Sequence, residues 1–376
     1  MHKIISIVLG LLILNYSFAQ EKQNNRPQTP VPPFPYVADS LVYSAKGDTL
    51  AYGVTITKPT GKGPYPAIIL ITGSGQQDRD ETIFNHKSFA VLADYLTKQG
   101  YLVMRVDDRG NGMSTGNFQQ STSFDFASDV EHHIEYLLKR KDVRKDRIGL
   151  LGHSEGGMIA PIVASTNKAV NFIILLAGPG IPIAKLMAEQ NEAIMLSSGR
   201  DSLAAKSYSN FFLKAMPKVA AASDTAKAKA SLEADLKAWQ ANEHPNRVFG
   251  TTGIHDEKSL SNFVNLVVKQ LYSPWFKTFI LFDPQPYLKK LTCKVLAING
   301  SRDIQVLSAS NLQGIRESLA FSGNKNYTVE EIPGLNHFFQ TCKTCSAMEY
   351  GVLTETFSPI ALEKIGNWLQ KEINGK

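Results

Sequence analysis

A serine set among small residues constrains this chain more than any other feature: Gly152-His153-Ser154-Glu155-Gly156. It directly follows the strand-like Arg147-Ile148-Gly149-Leu150-Leu151 and directly precedes a helix-compatible run beginning Gly157-Met158-Ile159-Ala160. A strand that turns straight into a helix leaves no room for bulk on either side of such a serine, and it pushes the serine Oγ out above the sheet edge. The five-residue pattern alone also arises by chance, and this chain carries a second copy, Gly112-Met113-Ser114-Thr115-Gly116. That copy follows Asp107-Asp108-Arg109-Gly110 and runs into polar Asn117-Phe118-Gln119-Gln120-Ser121, which does not start a helix. Context therefore selects Ser154 over Ser114 as the candidate nucleophile.

Around this turn, short apolar runs alternate with amphipathic stretches, the pattern of a βα architecture with a mostly parallel sheet. Residues 40–57 read as a hairpin-like pair of strands, and Ala67 to Thr72 as a buried strand. A helix over Phe89 to Gln99 closes at Gly100, a strand follows over Tyr101 to Val106, and a second helix covers Phe124 to Arg140. Beyond the turn come strands over Asn171 to Ala177, Lys294 to Asn299 and Tyr327 to Ile332, then a closing helix over Pro359 to Ile373. One stretch breaks the rhythm. More than a hundred residues separate the strand ending at Ala177 from the one starting at Lys294, and Ala, Lys, Leu and Glu dominate Ser202 to Ala241. Such a segment favours helices and is too long for a connection, so it predicts a helical cap over residues 181–285. The expected core is then residues 37–180 with 286–376.

With 376 residues and a formal charge of +6, the chain can bury a full core, and its Lys and Arg are scattered. No basic run is long enough to read as a nucleic-acid surface. His2 and Lys3, the apolar Ile4 to Leu14, and Ser17-Phe18-Ala19 have the order of a secretory signal over residues 1–19, with cleavage after Ala19. The apolar part is short for a bilayer span, and no cysteine stands where a lipid anchor would attach. The expectation is an exported protein without a stable membrane anchor, periplasmic or extracellular. Residues 20–36, with Pro27, Pro30, Pro32, Pro33 and Pro35, read as an extended tether. In an oxidising compartment Cys342-Lys343-Thr344-Cys345 suggests a local disulfide or two inert thiols rather than a redox or metal site. Cys293 is expected to enter a strand and be buried. Nothing in the sequence speaks to oligomeric state.

A serine hydroxyl needs a base within hydrogen-bond reach, itself oriented by a third group. Where the nucleophile sits in a strand-to-helix turn, the partners follow in the order Asp or Glu, then His, on loops after later strands. The strand Val295 to Asn299 runs into Gly300-Ser301-Arg302-Asp303, and Val329 to Ile332 runs into Pro333-Gly334-Leu335-Asn336-His337. Asp303 is thus the expected acid and His337 the expected base, with Asp283 the nearby alternative acid. His153 is expected to point away from the reacting centre; His132 and His133 fall on a helix, and His244 and His255 in the cap. Two backbone N–H groups must receive the developing oxyanion. One is expected from Glu155, after the nucleophile; the other from Ser74 in Gly73-Ser74-Gly75-Gln76-Gln77, with Gly75 or Gln76 possible. Asp78-Arg79-Asp80-Glu81 and Asp107-Asp108-Arg109 read as ion pairs that hold loops.

Taken in order, these pieces resemble a bacterial α/β-hydrolase of the serine esterase and prolyl-oligopeptidase-like superfamily, in the group of capped, exported esterases. The resemblance runs from about Asp39 to the C-terminus. It rests on Gly73-Ser74-Gly75 with Asp78-Arg79-Asp80, Asp108-Arg109-Gly110 with Ser114-Thr115-Gly116, and Gly152 to Gly157. Ser273-Pro274-Trp275-Phe276, Asn299-Gly300 with Asp303, and Asn336-His337 complete it. Where many relatives carry His-Gly after the oxyanion strand, this chain has Thr72-Gly73. The resemblance implies an α/β-hydrolase fold and hydrolysis of small to medium carboxylic esters, with no metal and no organic cofactor. Trp275, Phe276 and Phe279, with Phe282, are candidates to line an acyl pocket, although aromatics at this spacing also serve as cap core. A serine aminopeptidase using the same triad is the alternative, with Glu189 and Glu192 to bind a free amino terminus. A non-catalytic binding protein on the same fold is the third reading.

Overall fold

The computed structural model describes residues 26–45, 47 and 49–375. The expected signal over 1–19 and the first residues of the expected tether lie outside them. The described chain forms two compact units, one over 181–283 and the other over 26–180 with 284–375.

The larger unit is built on an eight-stranded sheet. Its strands are β1 (Val37–Ser44), β2 (Ala51–Lys58), β3 (Tyr65–Ile71), β4 (Leu102–Val106), β5 (Val143–His153), β6 (Val170–Leu176), β7 (Lys294–Gly300) and β8 (Tyr327–Ile332). Their order across the sheet is 1-2-4-3-5-6-7-8. Only β2 runs against its neighbours; β4 through β8 pair in parallel. Runs such as Ile68-Ile69-Leu70-Ile71 and Phe172-Ile173-Ile174-Leu175-Leu176 are apolar at every position because a parallel strand covered on both faces has no solvent side.

The flanking helices of this unit are α1 (Ser88–Lys98), α2 (Ser123–Lys139) and α3 (Gly156–Ala164), and after the insertion α10 (Gln285–Leu288), α11 (Ser308–Phe321) and α12 (Pro359–Leu369). A capping box starts α2: the Thr122 side chain accepts from Asp125 N–H, and the Asp125 carboxylate accepts from Thr122 N–H. Ile134 and Leu137 of α2 and Ile159 and Val163 of α3 join Ile69, Met104, Leu150 and Ile173 of the sheet in one buried cluster. Each such side chain contributes about 1.5–3 kcal/mol by leaving water. Truncating Leu150, fully buried in the central strand, would cost about 2–5 kcal/mol.

The unit over 181–283 is helical throughout: α4 (Ile183–Ser197), α5 (Ser202–Ala221), α6 (Thr225–Gln240), α7 (Pro245–Thr252), α8 (Glu257–Leu271) and α9 (Pro274–Ile280). The helix-rich Ser202 to Ala241 is two helices, because Asp224 accepts from Lys227 N–H at 2.8 Å and starts α6 afresh. Tyr208, Phe211 and Phe212 of α5 fill the interior, with Trp239 stacked on Phe211 at 5.0 Å.

Two expectations require correction. Where it is described, the Pro-rich segment is made of turns and bends rather than extended, with Thr29 N–H donating to Arg26 O at 3.0 Å, and it does not hang free. Arg26 donates to the carbonyls of Phe84, Gly351 and Leu353, and Gln28 donates to Phe357 O and accepts from Thr356 N–H. All but the bond to Phe84 fasten it to loops more than three hundred residues later in the chain. Cys293 precedes β7 rather than lying in it, and it is half-buried; its partial burial pushes the thiol up to about 11.

Candidate active site

Strand β5 ends at His153, and α3 begins at Gly156, so Ser154 and Glu155 alone make the turn. Ser154 takes the left-handed φ of +53°. That conformation is uncommon for a residue with a side chain and marks a position held by its surroundings. The holding bonds are Ser154 N–H to Leu176 O and Gly157 N–H to Ser154 O, both 2.9 Å. Glycine is required here by close approach. A Cβ on Gly152 would collide with the Gly156 carbonyl, and one on Gly156 would collide with Ile71 O of the neighbouring strand. A Cβ on Gly157 would lie 2.6 Å from Gly178 Cα. The strand-to-helix turn read from the sequence is therefore packed against bare backbone on both flanks.

His337 and Asp303 arrive on the loops after β8 and β7. His337 Nδ1 lies 2.8 Å from Asp303 Oδ2, and both residues are buried. Asp303 Oδ1 accepts from the N–H groups of Gln305 and Val306 at 2.7 and 2.9 Å, which fixes the carboxylate plane. Asn336 braces the histidine loop, accepting from Phe338 and Gln340 N–H at 3.0 Å each. The Cys342–Cys345 disulfide closes the same loop, and the Leu335–Thr341 bridge pairs its two sides. Asp303, not Asp283, is thus the carboxylate that orients His337. With Nδ1 engaged, Nε2 is the nitrogen left to take a proton. Among the described residues no hydrogen bond joins Nε2 to Ser154 Oγ, and such bonds often tighten only with substrate in place.

The loop after β3 lies beside the serine: a Cβ on Gly73 would be 3.2 Å from Ser154 Cβ. Gly73 N–H is committed to Glu81 Oε1 at 2.8 Å, whereas Ser74 N–H meets no acceptor among the described residues. The loop is held from below by Asp108, which accepts from Thr72 Oγ1 at 2.8 Å and from Gln77 N–H at 2.6 Å. Burial pushes the Asp108 carboxyl up to about 8, against the lowering effect of those two bonds, and Glu155 and Glu81 add to the rise. Glu155 is itself buried, its Oε1 accepting from Ser123 Oγ at 2.6 Å.

The charged loops are tied as read from the sequence. Arg79 grips Asp107 through Nε at 2.9 Å and Nη2 at 2.5 Å, Arg109 grips Asp129 at 2.7 and 2.8 Å, and Arg105 pairs with Asp80. Ser114 belongs to this scaffold: its Oγ donates to Asp107 O and accepts from Gly53 N–H, with the side chain buried. A hydroxyl saturated in this way is not a nucleophile, and the second Gly-x-Ser-x-Gly is structural. His132 and His133 serve the same scaffold through Tyr52 and Tyr43, and burial depresses His133 to about 3.

One expectation fails. His153 does not point away from the centre. Its ring lies 4.9 Å from that of His337, with Nδ1 2.9 Å from Glu81 Oε1 and Nε2 3.0 Å from the His337 carbonyl. The chain offered a signal for this contact, an acidic residue just after the loop at Gly73, but 72 positions separate the partners. In the helical unit, Phe276 and Phe279 are buried on α9, which packs on α4, α5 and α8. They are part of that unit's own interior, the cap-core role that the sequence also allowed. Trp275 is half-buried and stacks on Phe279 at 4.8 Å. Glu189 and Glu192 face lysines, Lys185 at 4.0 Å and Lys206 at 3.2 Å. Among the described residues no cluster of three or more His, Cys, Asp or Glu could hold a metal ion.

The family described as serine aminopeptidase, S33, matches residues 85–243, less than half of the chain; the match includes Ser154 and ends before Asp303 and His337. Esterase EstD of Thermotoga maritima is 35% identical over 135 residues, covering 36% of this chain and 32% of that protein. Mouse acyl-coenzyme A thioesterase 1 is 27% identical over 142 residues, covering 37% of this chain and 30% of that protein. The chain thus spans about a third of the length of these curated relatives. Among solved structures, an esterase of Pyrococcus furiosus superposes with a TM-score of 0.53 at 13% identity, covering 94% of this chain and all of that one. That likeness is one of fold, and it coincides with the sheet order, the single reversed strand and the serine turn described above. On these grounds the chain has an α/β-hydrolase fold.

Proposed function

We propose that this protein is a serine hydrolase of small to medium carboxylic esters, acting through an acyl-enzyme on Ser154. Ser154 Oγ attacks the acyl carbon while His337 Nε2 takes its proton. His337 then returns the proton to the departing alkoxide, and water resolves the acyl-enzyme by the same route. Asp303 holds the histidine in the tautomer that leaves Nε2 free and stabilises the imidazolium that forms. The oxyanion is received by the N–H groups of Ser74 and Glu155. One observation carries this reading: a serine forced into left-handed backbone between bare glycines, in the same unit as a buried His337–Asp303 pair at 2.8 Å. The likeness to EstD over 135 residues supports an ester substrate.

A peptidase reading draws support from the description of the matching family. The two carboxylates suggested for an amino terminus are engaged by Lys185 and Lys206, which favours the ester. The Cys342–Cys345 disulfide supports export to an oxidising compartment through the segment 1–19. The deciding experiment is parallel hydrolysis of p-nitrophenyl acetate, butyrate and octanoate and of aminoacyl-p-nitroanilides. Ester turnover with little anilide cleavage is expected. Dominant anilide turnover would move the assignment to a peptidase.

A further inference from the structure

The side chain next to the nucleophile makes contacts that a neutral imidazole cannot make in full. His153 is buried, with Nδ1 2.9 Å from Glu81 Oε1 and Nε2 3.0 Å from the His337 carbonyl. A carbonyl only accepts, so Nε2 must carry a proton. Glu81 Oε1 already receives the Gly73 N–H at 2.8 Å, as an ionised carboxylate oxygen does, so Nδ1 faces an acceptor as well.

We propose that His153 is held as an imidazolium, paired with Glu81, and that this pair is a positioning element tying three segments of the site together. Those segments are the loop at Gly73, the serine turn that His153 itself enters, and the backbone of His337. The proposal rests on the reading of Ser154 and His337 as the reacting pair. Its geometry is economical, because one buried charge pair fixes where the oxyanion loop and the base stand relative to the nucleophile. Glu81, His337 and Asp303 are the titratable groups that face His153, and Phe338 and Phe339 close the remaining sides at 5.8 and 6.5 Å between ring centres. Burial alone would lower the imidazole, but the Glu81 charge and hydrogen bond, the His337 carbonyl and Asp303 outweigh it and raise it above its ordinary 6.5. The sign follows for linkage: the pair's contribution to stability is whole below about pH 6.5 and is lost as pH rises through the raised value.

The test is the ring nitrogens of the full chain labelled with 15N-histidine, assigned by the resonance that disappears in His153→Asn. At pH 7.5 the His153 ring is expected to show two slowly exchanging N–H protons and imidazolium nitrogen shifts. A single N–H there would overturn the proposal. Glu81→Gln is expected to return His153 to one proton and to lower kcat by on the order of ten- to a hundredfold through misplacement, with KM little changed. An unchanged kcat in that variant would overturn the positioning role. Should the variant not fold, the wild-type spectrum still decides the protonation state. The spectrum needs no turnover, so loss of the ester reading and loss of this ion pair are seen separately.

Discussion

The floor of the candidate site and the helical unit are held together by opposite means. Around Ser154 the ties are buried and polar: Arg79 on Asp107, Arg109 on Asp129, Glu81 on His153, and Asp303 on His337. In the helical unit the ion pairs lie at the surface, as with Lys218 and Asp235 or Lys237 and Glu233, and the interior is aromatic and aliphatic. Apolar packing tolerates exchange of side chains of similar size, whereas a buried charge admits only its partner at a fixed place. A site that must hold a serine, a base and two backbone donors within fractions of an ångström needs the second kind of bond. The helical unit is built from the first.

Three substitutions sharpen that contrast, from the largest effect to the smallest. Asp303→Asn keeps the shape of the side chain but removes the charge that fixes His337. It is expected to lower kcat roughly a thousandfold or more, read from steady-state ester hydrolysis, with the fold unchanged by circular dichroism. Arg79→Ala leaves Asp107 buried without its cation, since that carboxylate is 3% exposed and is held below the ordinary carboxylate range chiefly by Arg79 against the opposing effect of burial. A loss of about 3 kcal/mol is expected from urea unfolding. Lys218→Ala breaks a pair whose lysine is 60% exposed, and the same measurement is expected to move by less than about 0.5 kcal/mol. A large effect at Lys218, or a negligible one at Arg79, would erase the distinction between the two regions.

The same contrast explains what could be read in the sequence. The serine turn and the residues of the Asp303–His337 pair were legible because each sits at a strand end, and strands announce themselves by apolar runs. The sheet, the flanking helices and the helical insertion followed from period and length alone. The ties beneath the site were only partly legible. Asp78 to Glu81 and Asp107 to Arg109 showed as charged loops, but pairing Glu81 with His153 needs the register of β3 against β5, which brings Ile71 beside Gly152. The fastening of Arg26 and Gln28 joins positions more than three hundred residues apart and leaves no local trace. Phe276 and Phe279 carried no mark that separates an interior aromatic from a substrate-facing one, and their burial on α9 is a property of the packed unit.

The central claim is that Ser154 is the nucleophile, and covalent labelling tests it most directly. The intact protein would be treated with a fluorophosphonate, digested, and the modified peptide sequenced by mass spectrometry, with Ser154→Ala in parallel. One adduct is expected, on Ser154, with ester hydrolysis lost in step with labelling and both absent in the variant. An adduct on Ser114 or elsewhere, or ester turnover that survives in Ser154→Ala, would contradict the account.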